Sequence, residues 1–238
     1  MTNKFKLILA TIYALGLGLL LYFVFSNFDL SQINNYAYIK ENSLFLVEFK
    51  NSQLILFTIL FFTFAVIWIL FLGFGSPIAI VSGFIFGKWY GTIISVFSFS
   101  IGSSLLYILA SFYFKDFVIK NFSKKIEKYK NLFNKNEFLY FMIFRFAGGG
   151  GIPFGIQNVL PVIFDMKIKN YFFSTFIGLI PTVFIINSLG SGVESLIEDN
   201  DTLTFSDVLF APEIYLPITC FLILIFLSLF LKNKFFKN

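Results

Sequence analysis

Arg145 is the sharpest chemical feature of the chain. The sequence has 18 basic residues and 17 of them are lysine; the single arginine sits in an apolar run, Phe-Met-Ile-Phe-Arg-Phe-Ala, over 141–147. A guanidinium is a planar, permanently charged donor fork that can grip a phosphate or carboxylate with two parallel bonds, which an ammonium cannot copy. A charge inside an apolar segment costs at least about 2.5–3.5 kcal/mol on membrane-insertion scales, so it normally faces a cavity or a partner. The alternative is that the side chain snorkels to the cytoplasmic surface. Asp165, at the far end of the same segment, is the nearest candidate counter-charge. The four residues Gly148, Gly149, Gly150 and Gly151 precede Ile152-Pro153, and such a stretch does not continue a helix cheaply. Its backbone N–H groups beside Arg145 are candidates for an anion-binding nest, with a plain hinge as the alternative. Gln157 and Asn158 follow; their amides suit either exposed carbonyls or a ligand. Glu48, in Leu-Phe-Leu-Val-Glu-Phe, is either a gating or proton-coupled carboxylate or a solvated interfacial one.

Other chemistries lack their residues. The chain has no His and a single Cys, Cys220, in an apolar run. That excludes a disulfide framework, a zinc site, and Cys–His or Ser–His–Asp catalysis. No nucleophile, base and metal ligands converge, so neither an enzyme nor a cofactor is expected.

The elements that must position Arg145 are membrane helices. Of 238 residues, 58% are hydrophobic and only 13% charged, against about 25% charged in a soluble domain. A soluble fold could not hide that much apolar surface, and a disordered chain needs the opposite composition. The net charge of +5 suits lysines beside anionic lipid, not a nucleic-acid partner. The run 5–25 is long enough for a retained anchor, and 28–53 looks interfacial. The run 54–114 carries one charge, Lys88, and is interrupted by Gly73, Gly75, Pro77, Gly83, Gly87 and Gly91. Residues 115–135 hold seven lysines, the simplest reading being a cytoplasmic amphipathic helix on anionic lipid; 190–213 hold six acids and no base, and the last apolar run, 214–231, ends in Lys232, Lys234 and Lys237.

Lysine-rich loops stay in the cytoplasm, which places both termini, 115–135 and 167–169 inside and 190–213 outside. The block 138–164 then starts and ends inside, and 54–90 starts and ends outside. The expected fold is an all-α polytopic membrane protein with two opposed re-entrant hairpins, each followed by a crossing, 91–114 and 168–189. The expected division is an N-terminal anchor and interfacial segment (1–53), a core (54–192), and an outer acidic loop with a C-terminal transmembrane helix (193–238). A shift of 76 residues places Gly75, Pro77, Ile80, Phe97, Ser98, Ile101 and Gly102 on Gly151, Pro153, Ile156, Phe173, Ser174, Ile177 and Gly178. Inverted repeats around a midplane site are a transporter architecture; shared low-complexity bias is the alternative. Gly83, Gly87 and Gly91 recur every four residues, a spacing that reads as a small packing face with Gly102 beyond it. Pro161 and Pro181 read as kinks.

Pro77, Gly83, Phe86-Gly87 and Gly91 resemble the first-hairpin signature of the DedA/VTT-domain superfamily, whose VTT branch is also called SNARE-associated Golgi protein. Arg145, Pro153-Phe154, Asn158, Phe172, Thr175, Gly178, Pro181 and Thr182 are similar to its second signature, and the resemblance covers roughly 70–192. Three positions depart from the family pattern: Gly148 replaces the first Pro of Arg-x-x-Pro-x-x-Pro, Ala110-Ser111-Phe112 stands where an Arg is usual, and Pro161-Val162 replaces Ala-Gly. These bear on the substrate more than on the fold. The resemblance implies two opposed hairpins facing each other in an inner membrane. It also implies flipping of a phosphate-bearing lipid such as undecaprenyl phosphate or a phospholipid, a role in membrane homeostasis, dependence on the proton-motive force, and a lipid phosphate meeting Arg145. Membrane lipids are thus the expected partner, with protons second. A small-solute or ion transporter and a non-transporting scaffold are the alternatives.

Overall fold

The computed structural model describes residues 3–27, 36–200 and 205–235; among these there is no strand. The helices are α1 (Asn3–Asn27), α2 (Tyr36–Ser52), α3 (Leu54–Leu72), α4 (Ser76–Lys135), α5 (Glu137–Phe146), α6 (Phe154–Val159), α7 (Ile168–Asp199), α8 (Phe205–Phe210) and α9 (Pro212–Phe235). Two 3-10 turns, Gly148–Gly151 and Leu160–Phe164, flank α6. Among the described residues, four stretches are long and apolar enough to cross a membrane: Lys6–Ser26, Leu54–Leu72, Ser76–Tyr113 and Ile168–Asp199. The chain is a multi-pass, all-helical membrane protein. The lysines of 115–135 fall on a helix, but the side chains of 114–132 lie outside the described residues, as do 28–35 and 201–204.

Glycine sets the breaks. Gly73 caps α3 in the left-handed conformation (φ 69°), its N–H bonded to the Ile69 carbonyl at 3.0 Å, and Pro77 sits in the first turn of α4, where its missing N–H has no intrahelical partner to lose. Gly87 has φ 75° and ψ 169°, so α4 is really two helices joined at this residue. This corrects the reading of Gly87 as part of a small packing face. Nothing lies within 4 Å of a Cβ built there; the residue is a backbone bend that L side chains resist. Gly83 and Gly91 do pack, both against Asn187. Pro161 is buried in the second 3-10 turn and not in a kinked helix, whereas Pro181 does lie within α7.

Each half of the chain reverses on itself. Residues 76–86 run back along α3, so that the Phe86 ring meets Phe57 and Phe61 at 5.7 and 5.2 Å and Tyr90 reaches Thr58, hydroxyl to hydroxyl, at 3.3 Å. In the second half the buried Glu137 carboxylate accepts from the Asn170 amide at 2.6 Å and the Lys167 N–H at 3.3 Å. Residues 137 and 167 therefore stand at one level. The long part of α4 runs antiparallel to α7, with Trp89 on Phe184, Phe97 on Phe176 and Tyr107 on Tyr171. The two reversals consequently open at opposite ends of the molecule. Their tips touch: a Cβ on Gly73 would lie 3.2 Å from the Gly155 Cα, and the Phe99 and Phe154 rings are 6.2 Å apart.

One contact recurs across the halves at the 76-residue offset. A Cβ on Gly102 would meet the Val66 carbonyl at 2.8 Å and Ile69 Cβ at 2.7 Å; a Cβ on Gly178 would meet the Met142 carbonyl at 2.7 Å and Arg145 Cβ at 2.6 Å. Small residues bring the crossing helix onto its hairpin arm in both halves. Ile69 is thereby the first-half counterpart of Arg145. The first-half core is apolar, built on Phe61, Ala65, Ile69, Ile78 and Phe99; the second half places a charge at the equivalent point.

Candidate anion-binding site

Arg145 lies in the last turn of α5 and is 0% exposed. It does not snorkel. Its terminal nitrogens donate to Gln157 Oε1 at 3.2 Å, Asn158 Oδ1 at 2.5 Å and the Tyr171 hydroxyl at 3.1 Å. The guanidinium lies 4.9 Å from the centres of the Phe141 and Phe154 rings and 5.9 Å from that of Tyr171. Three elements converge here. Gly178 on α7 lets α5 approach closely; the turn at Pro153 sends α6 back so that Gln157 and Asn158 face α5; and Tyr171 enters from the first turn of α7. Tyr171 is further fixed by stacking on Tyr107 at 4.5 Å and by donating to the Asn158 carbonyl at 3.2 Å.

The cage is neutral. Among the described residues every hydrogen-bond partner of Arg145 is an amide or a hydroxyl, and none is a carboxylate. Amide dipoles and ring faces offset only part of the desolvation of a buried guanidinium. Two polar atoms of this region have no hydrogen-bond partner, Arg145 Nε and Asn158 Nδ2. Both are N–H donors, which suits an incoming anion.

The other residues singled out from the sequence are not in direct contact with the guanidinium. Asp165 is exposed, in a left-handed conformation (φ 56°) that caps the second 3-10 turn. It is not the counter-charge of Arg145, because the short second turn ends it at the mouth of the hairpin. There it lines a cavity of about 500 Å³ with Lys135, Glu137, Lys167 and Asn170. Glu48 is exposed on α2. The glycine turn, with φ 65°, 71° and 81° at Gly148, Gly149 and Gly151, joins Arg145 through Gln157. The Gln157 amide donates to the Gly148 and Ile152 carbonyls at 3.3 and 2.6 Å, and a Cβ on Gly149 would run into that same amide. Tyr171, Phe141 and Glu137 escaped the sequence reading. Tyr171 lies one helical turn before Ser174, which the repeat had already aligned with Ser98, and that periodicity was the available signal for it.

The VTT domain profile matches residues 71–192. Among curated sequences, the chain is 27% identical over 134 residues to Transmembrane protein 41 homolog of Caenorhabditis elegans, covering 55% of this chain and 54% of that protein. It is 29% identical over 120 residues to Uncharacterized protein YqeD of Bacillus subtilis (strain 168), covering 50% of this chain and 57% of that one. The chain thus spans about half the length of the curated relatives it matches. No solved structure matches it. The matched region runs from the tip of the first reversal to two turns before the end of α7 and holds Arg145 with all its described partners; the chain belongs to the VTT-domain (DedA) family.

Proposed function

We propose that the protein is a non-enzymatic translocator or scramblase of a phosphate-bearing lipid. Its two reversals are re-entrant hairpins that enter the bilayer from opposite faces of an inner membrane, with both termini cytoplasmic. The observation that carries this reading is a fully buried guanidinium held by neutral groups alone. A phosphate oxygen is a better acceptor for Arg145 than the carbonyl oxygens of Gln157 and Asn158, since it adds the attraction of an opposite charge and can take two parallel bonds from the guanidinium fork. A headgroup entering at the cavity at the hairpin mouth would meet the Lys135 and Lys167 ammonium groups, with the Glu137 and Asp165 carboxylates beside them. Arg145 lies eight residues along α5 from Glu137 at that mouth, about 12 Å at helical rise. Displacing the amides from Arg145 would release Gln157 and, with it, the glycine turn. The hairpin tips, touching at Gly73 and Gly155, would then part and give the headgroup a polar path, so that it need not cross hydrocarbon. The family resemblance and the membrane helices agree with this reading.

Fluorescent-lipid flipping in proteoliposomes tests it. A phosphate-bearing labelled lipid should be exposed to an outer-leaflet quencher faster with protein than without, while a labelled glycolipid lacking phosphate should not. Equal acceleration of both lipids would remove the phosphate from the mechanism. Uptake of small solutes with no lipid flipping would instead favour a solute transporter.

A further inference from the structure

We propose that Ser82, Gly91, Ser95 and Asn187 form a second, uncharged polar site, the first-half counterpart of the Arg145 cage, which takes a neutral O–H donor on the way through the α4–α7 seam. At the 76-residue offset Asn158 falls on Ser82, Tyr171 on Ser95 and Arg145 on Ile69. The position that is cationic in one half is thus aliphatic in the other, while the flanking positions stay polar. Ser82 donates to the Gly91 carbonyl at 3.1 Å. A Cβ on Gly91 would lie 2.7 Å from Asn187 Oδ1, and one on Gly83 would run into the Asn187 backbone, so two glycines wrap the hairpin arm and the crossing helix around this side chain. Ser95 stands one helical turn beyond Gly91 on the same face.

Two atoms here point to a ligand. Asn187 spends its N–H on the Val183 carbonyl at 2.9 Å, which leaves Oδ1 without a partner; Ser95 Oγ has none either. Both residues are 0% exposed. Buried polar atoms are seldom left unsatisfied, and each such atom destabilises the form in which it stays so. An amide oxygen needs a donor and a hydroxyl can give or accept, so an O–H group, from water or from a headgroup hydroxyl, suits either atom. The ligand class therefore differs from that of the Arg145 cage, whose orphan atoms include two N–H donors. Sixteen residues of α7 separate Asn187 from Tyr171, about 24 Å at helical rise, so the two sites act as successive stations. The outer one lies beside a groove of about 400 Å³ lined by Lys88, Phe184, Ser188 and Glu213, which opens at the end of the molecule away from Glu137.

The path role rests on the lipid-translocation reading; the site itself does not. Ser95→Cys and the controls Ala79→Cys and Ile94→Cys, buried apolar positions, are placed in a Cys220→Ser background. Each is reacted with a small cationic water-soluble thiosulfonate, in detergent and in liposomes. Ser95→Cys should react roughly tenfold faster than the controls, a difference worth about 1.4 kcal/mol. Slowing by a short-chain phosphatidylglycerol, but not by a lipid without headgroup hydroxyls, would assign the donor to the headgroup; equal rates with both would assign it to water. Reaction no faster than at Ala79 and Ile94 overturns the proposal. Asn187→Leu separates site from scaffold. It should melt at or above the wild-type temperature yet flip lipid roughly tenfold more slowly. A raised melting temperature with wild-type flipping would make the cluster structural and overturn its place on the path. If Ser95→Cys labels quickly while Arg145→Lys flips normally, the phosphate clamp fails and the second site stands.

Discussion

A buried arginine usually answers to a carboxylate; Arg145 answers to Gln157, Asn158 and Tyr171. Each of these can bond the guanidinium, and none neutralises it. Arg145→Met fills a similar volume and removes the buried charge, but it leaves Gln157 Oε1 and Asn158 Oδ1 without their donor, at roughly 1–3 kcal/mol each. The variant should therefore fold in detergent with a lowered melting temperature while losing lipid flipping. A variant that unfolds would make Arg145 a structural residue. Tyr171→Phe removes one bond to Arg145 and one to the Asn158 carbonyl and leaves the ring stack with Tyr107 intact. Bonds to charged groups contribute roughly 1.5–3 kcal/mol, so its melting temperature should fall measurably, and an unchanged value would mean that the hydroxyl adds no net stability to the cage. At this scale the sequence was legible where composition made a residue rare. A lone Arg among lysines stood out. Tyr171 did not, because it is one of 11 tyrosines in a chain with 38 phenylalanines, and only folding singles it out. The pairing of Arg145 with Asp165 failed for a similar reason: proximity along the chain says nothing of a tight left-handed turn that holds Asp165 at the surface.

Helix breaks were legible because glycine and proline mark them chemically, and the places where the reading fell short are places where a glycine's job depends on its neighbours. Gly83, Gly87 and Gly91 share one spacing, yet two of them pack against Asn187 and the third bends the backbone. Gly87→Ala should destabilise by about 1–3 kcal/mol through its positive φ alone. Gly178→Ala acts by another route. Its methyl group would press on Arg145 Cβ and the Met142 carbonyl, forcing α5 off α7, at about 1–3 kcal/mol as for other overpacked sites, and it should displace the guanidinium as well. Thermal unfolding of both variants, with Gly102→Ala beside Gly178→Ala, checks the assignment. Gly102→Ala should match Gly178→Ala in stability loss, because the two glycines make the same contact 76 residues apart. A silent Gly102→Ala would break the equivalence of the halves. That equivalence rested on seven identities in the sequence, too few to separate from a shared bias towards Phe, Ile and Gly; the repeated contact of a crossing-helix glycine on its hairpin arm supplies what residue matches could not.

At the level of the whole molecule, lysine placement expects two segments that return to their own side, and the backbone reverses direction in both. The positive-inside rule requires 138–164 to return to its own side, and the Glu137 carboxylate joined to Lys167 and Asn170 brings the ends of that segment together. The rule also expects 54–90 to start and end outside, and the Phe57, Phe61 and Phe86 contacts show that this segment doubles back on itself. α3, with 19 apolar residues, is long enough to cross by itself, which length arithmetic over 54–114 did not resolve. In a Cys220→Ser background, a cysteine replacing Lys167 should react with an impermeant thiol reagent only from the cytoplasmic face, and one replacing Glu198 only from the other. Labelling of both from one face would undo the opposed hairpins. The central claim is more specific than the topology: a guanidinium, and not merely a positive charge, is required at position 145. Its most direct measurement is the rate of phospholipid flipping in proteoliposomes containing Arg145→Lys at wild-type density. A fall of about tenfold or more, worth at least about 1.4 kcal/mol in the barrier, is the result predicted for a bidentate phosphate grip; flipping at the wild-type rate would contradict it.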